Sequence, residues 1–130
     1  MFNFIKLFFL FILVICNLNA ELIEEIELSK DEIKYVDILI DQKKKTLSFR
    51  WTLYKDNGLV MHIKYDNLPH QSILYKNHAN SYKVMLSTSL TSYMNPYLII
   101  YFIDFDDKNR KAKFRYHLFK FNENENVEVM

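Results

Sequence analysis

The sequence predicts an all-β protein, an antiparallel β-sandwich of about seven or eight short strands, with a small β-barrel as the alternative. Two segments alternate apolar and polar residues with the two-residue period of a half-buried strand, and a third is almost uniformly apolar. Turn-forming residues divide the chain at intervals of about 8 to 12 residues. After position 20, 16 of 110 residues are aromatic, which together with Ile, Val and Thr favours pleated sheets.

The two alternating segments are residues 45–54 and 59–65. Each places its large apolar side chains on one face, so that this face is expected to lie against the core. The side chains predicted to face the core are Leu47, Phe49, Trp51 and Leu53 in the first segment and Leu59, Met61, Ile63 and Tyr65 in the second.

Asp56, Asn57 and Gly58 join these two strands as a hairpin turn. A two-residue loop would place Trp51 opposite Lys64 and mix apolar with polar faces, whereas a three-residue loop keeps the apolar faces together. The sequence therefore predicts a type I turn with Gly58 in the left-handed conformation of a G1 bulge. The expected pairs are Trp51 with Ile63, Leu53 with Met61 and Phe49 with Tyr65.

The third segment, residues 97–105, reads YLIIYFIDF and predicts a central strand that is buried on both faces. Residues 112–121 form the next strand, with Phe114, Tyr116 and Leu118 facing the core. Shorter candidate strands are residues 73–75, 82–86 and 90–94, and the predicted loops are residues 67–70 and 77–80.

The two ends of the predicted domain, residues 21–121, are harder to assign. Residues 33–41 are rich in β-branched residues and favour a strand, but Ser29 to Glu32 resembles a helix capping box, which leaves a helix as the alternative. Residues 122–130 read NENENVEVM and predict a polar, frayed tail.

Residues 1–20 have the pattern of a secretory signal peptide: a basic start, ten consecutive apolar residues, and a small residue, Ala20, at the expected cleavage site. The sequence therefore predicts export, with the periplasm as the destination. The alternative is a lipid-anchored envelope protein attached through Cys16, against which Ile15 stands where a small residue is required. Cleavage after Ala20 removes the one cysteine and excludes a disulfide.

Charge is distributed unevenly along the remaining chain. Residues 21–41 carry a net charge of −6, residues 42–121 carry +9, and residues 122–130 carry −3. Three interpretations fit this pattern. The charges are simply solvated, or the acidic N-terminal segment lies against a basic surface of the body, or that basic surface meets an acidic partner or anionic lipid. The balanced total gives no reason to expect nucleic acid.

Trp51 lies on the core-facing side of an early-middle strand. This arrangement resembles that of an immunoglobulin-like domain, and the resemblance implies a two-layered sandwich. The paired cysteines of antibody domains are absent.

The chain shows no set of residues that predicts catalysis, a cofactor site or a metal site. None of the serines lies in a glycine-flanked turn, and there is no glycine-rich phosphate loop. Residues 104–109 resemble the start of a calcium loop but lack its glycine and its final Glu, so that a hairpin turn is the better interpretation. The four histidines are spaced as solvated residues rather than as zinc or copper ligands.

An export signal, a β-rich body and no catalytic pattern predict a non-enzymatic module that binds another periplasmic or envelope protein. Residues 87–97, which are uncharged and rich in hydroxyl groups, and residues 67–70 are the candidate contact surfaces. The alternatives are a carrier of a small apolar ligand and an inhibitor or assembly chaperone that acts through an edge strand or a loop. The candidate contact residues are Tyr93, Met94, Tyr97, Leu68, Pro69 and His70.

Overall fold

The computed structural model describes residues 22–40, 42–87, 95–119 and 127–129. The predicted signal peptide with Cys16, the candidate strand 90–94 and most of the tail lie outside the described residues. Within the described residues no helix is long and apolar enough to cross a membrane. The strands in these residues are β1 (Ile23–Ser29), β2 (Lys34–Ile40), β3 (Lys43–Lys55), β4 (Gly58–Tyr65), β5 (Leu68–Tyr75), β6 (Ser81–Met85), β7 (Tyr97–Asp106), β8 (Lys111–Phe119) and β9 (Val127–Val129).

The strands form two antiparallel sheets, which confirms the predicted β-sandwich. One sheet has the order β1-β8-β7-β6 and the other the order β5-β4-β3-β2-β9. The chain runs from β2 to β5 as one meander and from β6 to β8 as another, and it changes sheets between β1 and β2, between β5 and β6, and between β8 and β9. The chain resembles immunoglobulin domains in its two layers, but its strand order, with the four consecutive strands β2 to β5 as one meander, differs from theirs.

The core lies between the two sheets and consists of the side chains that alternate inward. Phe49 of β3 meets Phe114 of β8 edge-to-face, with ring centroids 5.7 Å apart, and Trp51 meets Phe105 of β7 in the same way at 5.4 Å. Such aromatic pairs stabilise a fold beyond their buried area. The inward faces predicted for β4 and β8 are confirmed, since Leu59, Met61, Ile63, Tyr65, Phe114, Tyr116 and Leu118 are all buried.

The predicted turn between β3 and β4 is wrong. Asp56 and Asn57 both have positive φ, 53° and 64°, and Lys55 pairs directly with Gly58, so that the loop has two residues of the type I′ kind. Gly58 has no positive φ; it begins β4 and is buried. A Cβ atom at this position would lie 3.0 Å from Cε1 of Tyr75, which gives a steric reason for glycine.

The register keeps the apolar faces together by another route, a bulge at Thr52. Trp51 pairs with Met61, and the next pair is Leu53 with Val60, so that Thr52 is the extra residue. The bulge reverses the faces beyond it. Leu53 is therefore 51% exposed instead of buried as predicted, and Tyr54 turns inward to stack on Phe105 at 3.9 Å.

The loop predicted at residues 67–70 is mostly a strand. Asp66 and Asn67 form a second two-residue turn with positive φ, 50° and 64°, and Leu68 already begins β5. This strand pairs with β4 along its whole length, from Tyr65 opposite Leu68 to Gly58 opposite Tyr75. The expected strand at 73–75 is therefore only the end of β5.

Three further predictions have clear outcomes. Residues 34–40 form a strand, as favoured, and Ser29 to Glu32 forms the turn before it, with the Glu32 N–H donating to the Ser29 carbonyl at 3.1 Å. The outward face of β7 is half-buried, so the prediction of burial on both faces is wrong. Val127–Val129 pairs with β2, so these residues of the predicted tail belong to the sheet.

Candidate functional site

Within the described residues the two sheets end in four edge strands: β1, β6, β5 and β9. An edge strand offers unpaired backbone N–H and C=O groups to any other chain, and proteins commonly protect such edges with charge or keep them short. β1 carries three glutamates, β6 has five residues and a lysine, and β9 has three residues. β5 has eight residues and no charged side chain, so that of the devices that protect an edge it carries only Pro69, which lacks a backbone N–H. The Tyr75 N–H at its end donates to the Ala79 carbonyl at 3.3 Å.

Ion pairs connect the edge strand β1 to its neighbour β8. Arg115 Nη2 lies 2.5 Å from Glu25 Oε1 and Lys113 Nζ lies 3.5 Å from Glu25 Oε2. These partners hold the pKa of the Glu25 carboxyl below its usual value, with the Arg115 hydrogen bond as the largest cause. The acidic N-terminal segment thus lies against basic residues of the body, as one interpretation of the charge pattern predicts.

Glu24 and Trp51 fasten β1 to the rest of the sandwich. The Tyr116 hydroxyl donates to Glu24 Oε2, and Lys34 Nζ lies 3.3 Å from Glu24 Oε1. Both contacts, led by that of Tyr116, lower the pKa of the Glu24 carboxyl. The indole N–H of Trp51 donates to the Leu28 carbonyl at 2.8 Å, which satisfies a buried polar atom in the core.

The β5 edge has the opposite character. Leu68 is 64% exposed and Ile73 is 50% exposed, although both are large and apolar. Leu74, the residue after Ile73, is buried and fixes the end of β5 to the core. Pro69 suits this position, because proline in a sheet is confined to edge strands and bulges. β5 is therefore a rigid strand with one side paired to β4 and the other side unpaired by any described strand.

A surface cleft of about 370 Å³ adjoins β5. It is centred on outward-facing residues of β3 and β4, and Pro69 and His70 of β5 form its rim. None of its nine lining residues is acidic. The polar side chains among the lining residues are Ser48, Arg50, His62, Lys64 and His70.

The two cations of this cleft are not neutralised. Neither Arg50 nor Lys64 has a carboxylate oxygen of a described residue within 4.0 Å, whereas Lys34, Lys113 and Arg115 all do. The His62 ring is held by a hydrogen bond to β3, since its Nε2 atom lies 3.0 Å from the Thr52 hydroxyl. The cleft therefore presents uncompensated positive charge beside an open strand edge.

The structure separates the predicted contact residues into two groups. Leu68, Pro69 and His70 all lie at the start of β5 and are exposed. Tyr97 begins β7 in the other sheet, where it pairs with Met85 and Phe119. Tyr93 and Met94 lie outside the described residues.

Tyr97 nevertheless lies at the same end of the sandwich as the start of β5. The Tyr65 hydroxyl, next to the β5 turn, donates to the carbonyl of Leu86 at 2.5 Å, one residue beyond β6. Burial raises the pKa of Tyr65 to about 12, so that this hydroxyl stays a donor at neutral pH. Four further residues of the candidate site were not predicted from the sequence: Gln71, Ile73, Arg50 and Lys64. The absence of charge from residue 67 to residue 75 is the signal that could have indicated the β5 residues among them.

The other chemistries considered for the sequence gain no support from the geometry. Asp106 Oδ1 accepts hydrogen bonds from the backbone N–H groups of Lys108 and Asn109, which is the geometry of a hairpin turn. Among the described residues no three metal-ligating side chains come together. The aromatic side chains that would line a ligand cavity pack on one another instead, as Phe102 and Phe114 do at 6.1 Å.

No family model matches the chain, and neither a curated protein nor a solved structure matches it.

Proposed function

We propose that this protein is a non-enzymatic interaction module that binds an extended segment of another protein along the β5 edge. The observation that carries the proposal is the eight-residue, uncharged and exposed strand at the end of a firmly packed sheet. Strand addition of this kind takes its affinity from main-chain hydrogen bonds and its specificity from alternate side chains.

The geometry of β5 supports this mode in two ways. Its full pairing with β4 holds the backbone in an extended conformation, so little ordering entropy is lost on the side of the module. Its exposed apolar residues lie on opposite sides of the strand: Leu68 pairs with the inward-facing Tyr65, and Ile73 pairs with the outward-facing Val60. A partner strand would cover both.

The site of action that we propose is outside the cytoplasm, in the periplasm or at the envelope, with a lipid anchor at Cys16 as the alternative. This part of the proposal rests on the signal-like pattern of residues 1–20. The partner is then another exported or envelope protein. An inhibitor or an assembly chaperone that acts through an edge strand is a particular case of the same mode.

The experiment is native mass spectrometry of the protein recovered from its own host. We expect a chain that begins at Glu21 and carries a second protein. Ile73→Lys places a charge on the open edge and should abolish that complex. Leu53→Lys is the matched control. Leu53 is 51% exposed, Ile73 is 50% exposed, and both pair with Val60. Leu53 differs in that it lies on the internal strand β3, away from the open edge.

A complex that survives Ile73→Lys, or a recovered chain that never carries a second protein, would contradict binding through this edge. A mass that begins at Cys16 with an attached lipid would replace the periplasmic location with the anchored one. Loss of the complex in both variants would place the interaction on the outer face of the sheet rather than on its edge.

A further inference from the structure

The basic cleft beside β5 indicates what kind of segment pairs with this edge. Its residues form two rows across the five-stranded sheet. Arg50 pairs with His62 and His62 with Gln71, while Ser48 pairs with Lys64 and Lys64 with Pro69. Both rows run from β3 through β4 and end on β5, so that an added strand would continue them by one position.

The charge of these rows is available to a partner. The ion pairs of the described residues engage other cations, and Arg50 and Lys64 take part in none of them. The β1 edge shows the contrasting case, in which Lys113 and Arg115 of β8 both meet Glu25 of the neighbouring strand. Two rows of a sheet that carry cations and no acid attract a carboxylate from the next strand, since opposite charges on neighbouring strands stabilise a sheet.

A second copy of this chain fits the edge poorly. Two β5 strands that paired side by side would bring two clefts of the same charge next to each other, and like charges across an interface disfavour association. Charge complementarity therefore points to a partner of opposite sign.

We infer that the segment bound along β5 is acidic: its outward side chains include carboxylates that lie over the cleft, pair with Lys64 and are attracted by the positive charge of Arg50. Its inward side chains, on the Leu68 side of the strand, are apolar or small. This inference rests on the proposed function, because it assumes that the segment pairs with the β5 edge.

The distances of a β-sheet permit this contact. Neighbouring strands lie about 4.8 Å apart, so the partner strand lies about 10 Å from β4. The side chain between Lys64 and that strand is Pro69, which is short and leaves the space above it open. A lysine and a glutamate are both long enough to meet above a proline. Arg50 lies three strand spacings, about 14 Å, from the partner strand and attracts it through its charge without direct contact.

Two fluorescently labelled peptides of eight residues test the inference with the protein purified from its host. One peptide alternates threonine and glutamate, and the other has glutamine at each glutamate position. We expect the acidic peptide to bind roughly three- to tenfold more tightly, through a partly exposed ion pair with Lys64 and the added attraction of the Arg50 charge. Arg50→Glu combined with Lys64→Glu should remove this preference. Lys55→Glu should preserve it, because Lys55 also lies on β3 but does not line the cleft.

Equal affinity for the two peptides, each lost in Ile73→Lys, would overturn the acidic preference and leave edge pairing intact. An acidic preference that is unchanged by Ile73→Lys would overturn the inference, because the anion would then bind without the edge. Displacement of the acidic peptide by millimolar inorganic phosphate, with no effect on the glutamine peptide, would assign the cleft to free anions instead. Absence of binding by either peptide would contradict the proposed function itself.

Discussion

The β1 and β5 edges belong to the same sandwich but are built in opposite ways. β1 carries glutamates that are paired with Lys34, Lys113 and Arg115, and the Trp51 indole fastens its backbone to the core. β5 carries no charge, exposes Leu68 and Ile73, and has unpaired cations beside it. The comparison shows that the described edges differ in their protection, and this difference is the ground on which we propose a partner for β5.

The largest expected effect concerns the contact that fastens β1. Trp51→Phe removes the hydrogen bond to the Leu28 carbonyl and leaves space in the core, so we expect the free energy of unfolding to fall by about 2–4 kcal/mol. Urea unfolding measures this change. Leu53→Ala on the same strand should cost less than about 1 kcal/mol, because Leu53 is half-exposed. Similar losses in the two variants would show that the indole does not fasten β1.

The next effect concerns the side of β5 that faces β4. Gly58→Ala places a Cβ atom 3.0 Å from Tyr75 and 3.3 Å from Ile73, which we expect to cost about 1–3 kcal/mol. In a Tyr75→Ala background the cost should be clearly smaller, and a double-mutant cycle of urea unfolding measures the difference. Equal costs in both backgrounds would show that Tyr75 is not the reason for the glycine.

Acid should weaken the β1 edge. The pKa values of Glu24 and Glu25 are lowered from 4.5 by their partners, so their stabilising contribution is present above about pH 4.5 and is lost as the pH falls through the lowered values. In Glu24→Gln the free energy of unfolding should fall less on acidification than in the unaltered protein. The difference should be less than about 1 kcal/mol, because the Glu24–Lys34 pair is partly exposed. Glu27→Gln, which removes none of these ion pairs, is the control. An identical pH profile for Glu24→Gln and the unaltered protein would contradict the assignment.

The smallest expected effect is on the stability of the open edge. Ile73→Lys should change the free energy of unfolding by no more than about 0.5 kcal/mol, since the side chain is half-exposed and its strand stays paired to β4. Thermal unfolding checks this value in the same samples that test binding. A large loss of stability would mean that β5 serves the fold rather than a partner.

The sequence predicted the fold class and most inward faces, because alternation is a local property that survives any tertiary arrangement. Met61, Ile63 and Tyr65 face the core as their spacing requires. The prediction failed beyond Thr52, where a single extra residue reverses the faces and exposes Leu53. A bulge arises from the register between two strands, and neither strand reveals it alone.

The candidate site was predicted only in part. Leu68, Pro69 and His70 were selected as an exposed segment, but as a loop rather than as the beginning of an edge strand. Arg50 and Lys64 were not selected, because on their own strands they look like ordinary solvated residues. They form a basic cleft only because β3, β4 and β5 pair, which brings the two cations together without an acidic residue among those that line the cleft.

The sequence by itself thus determined that the chain forms strands and which side chains enter the core wherever the strands pair without a bulge, since a two-residue period then leaves one arrangement of faces. Only the tertiary structure decided which strands became edges. Glu25 of β1 is neutralised because β8 supplies Lys113 and Arg115, and β5 stays open because no described strand follows it in the sheet. The same physical rule explains both outcomes: the charge and exposure of an edge depend on its neighbours, and neighbours are chosen by pairing between residues far apart in the chain.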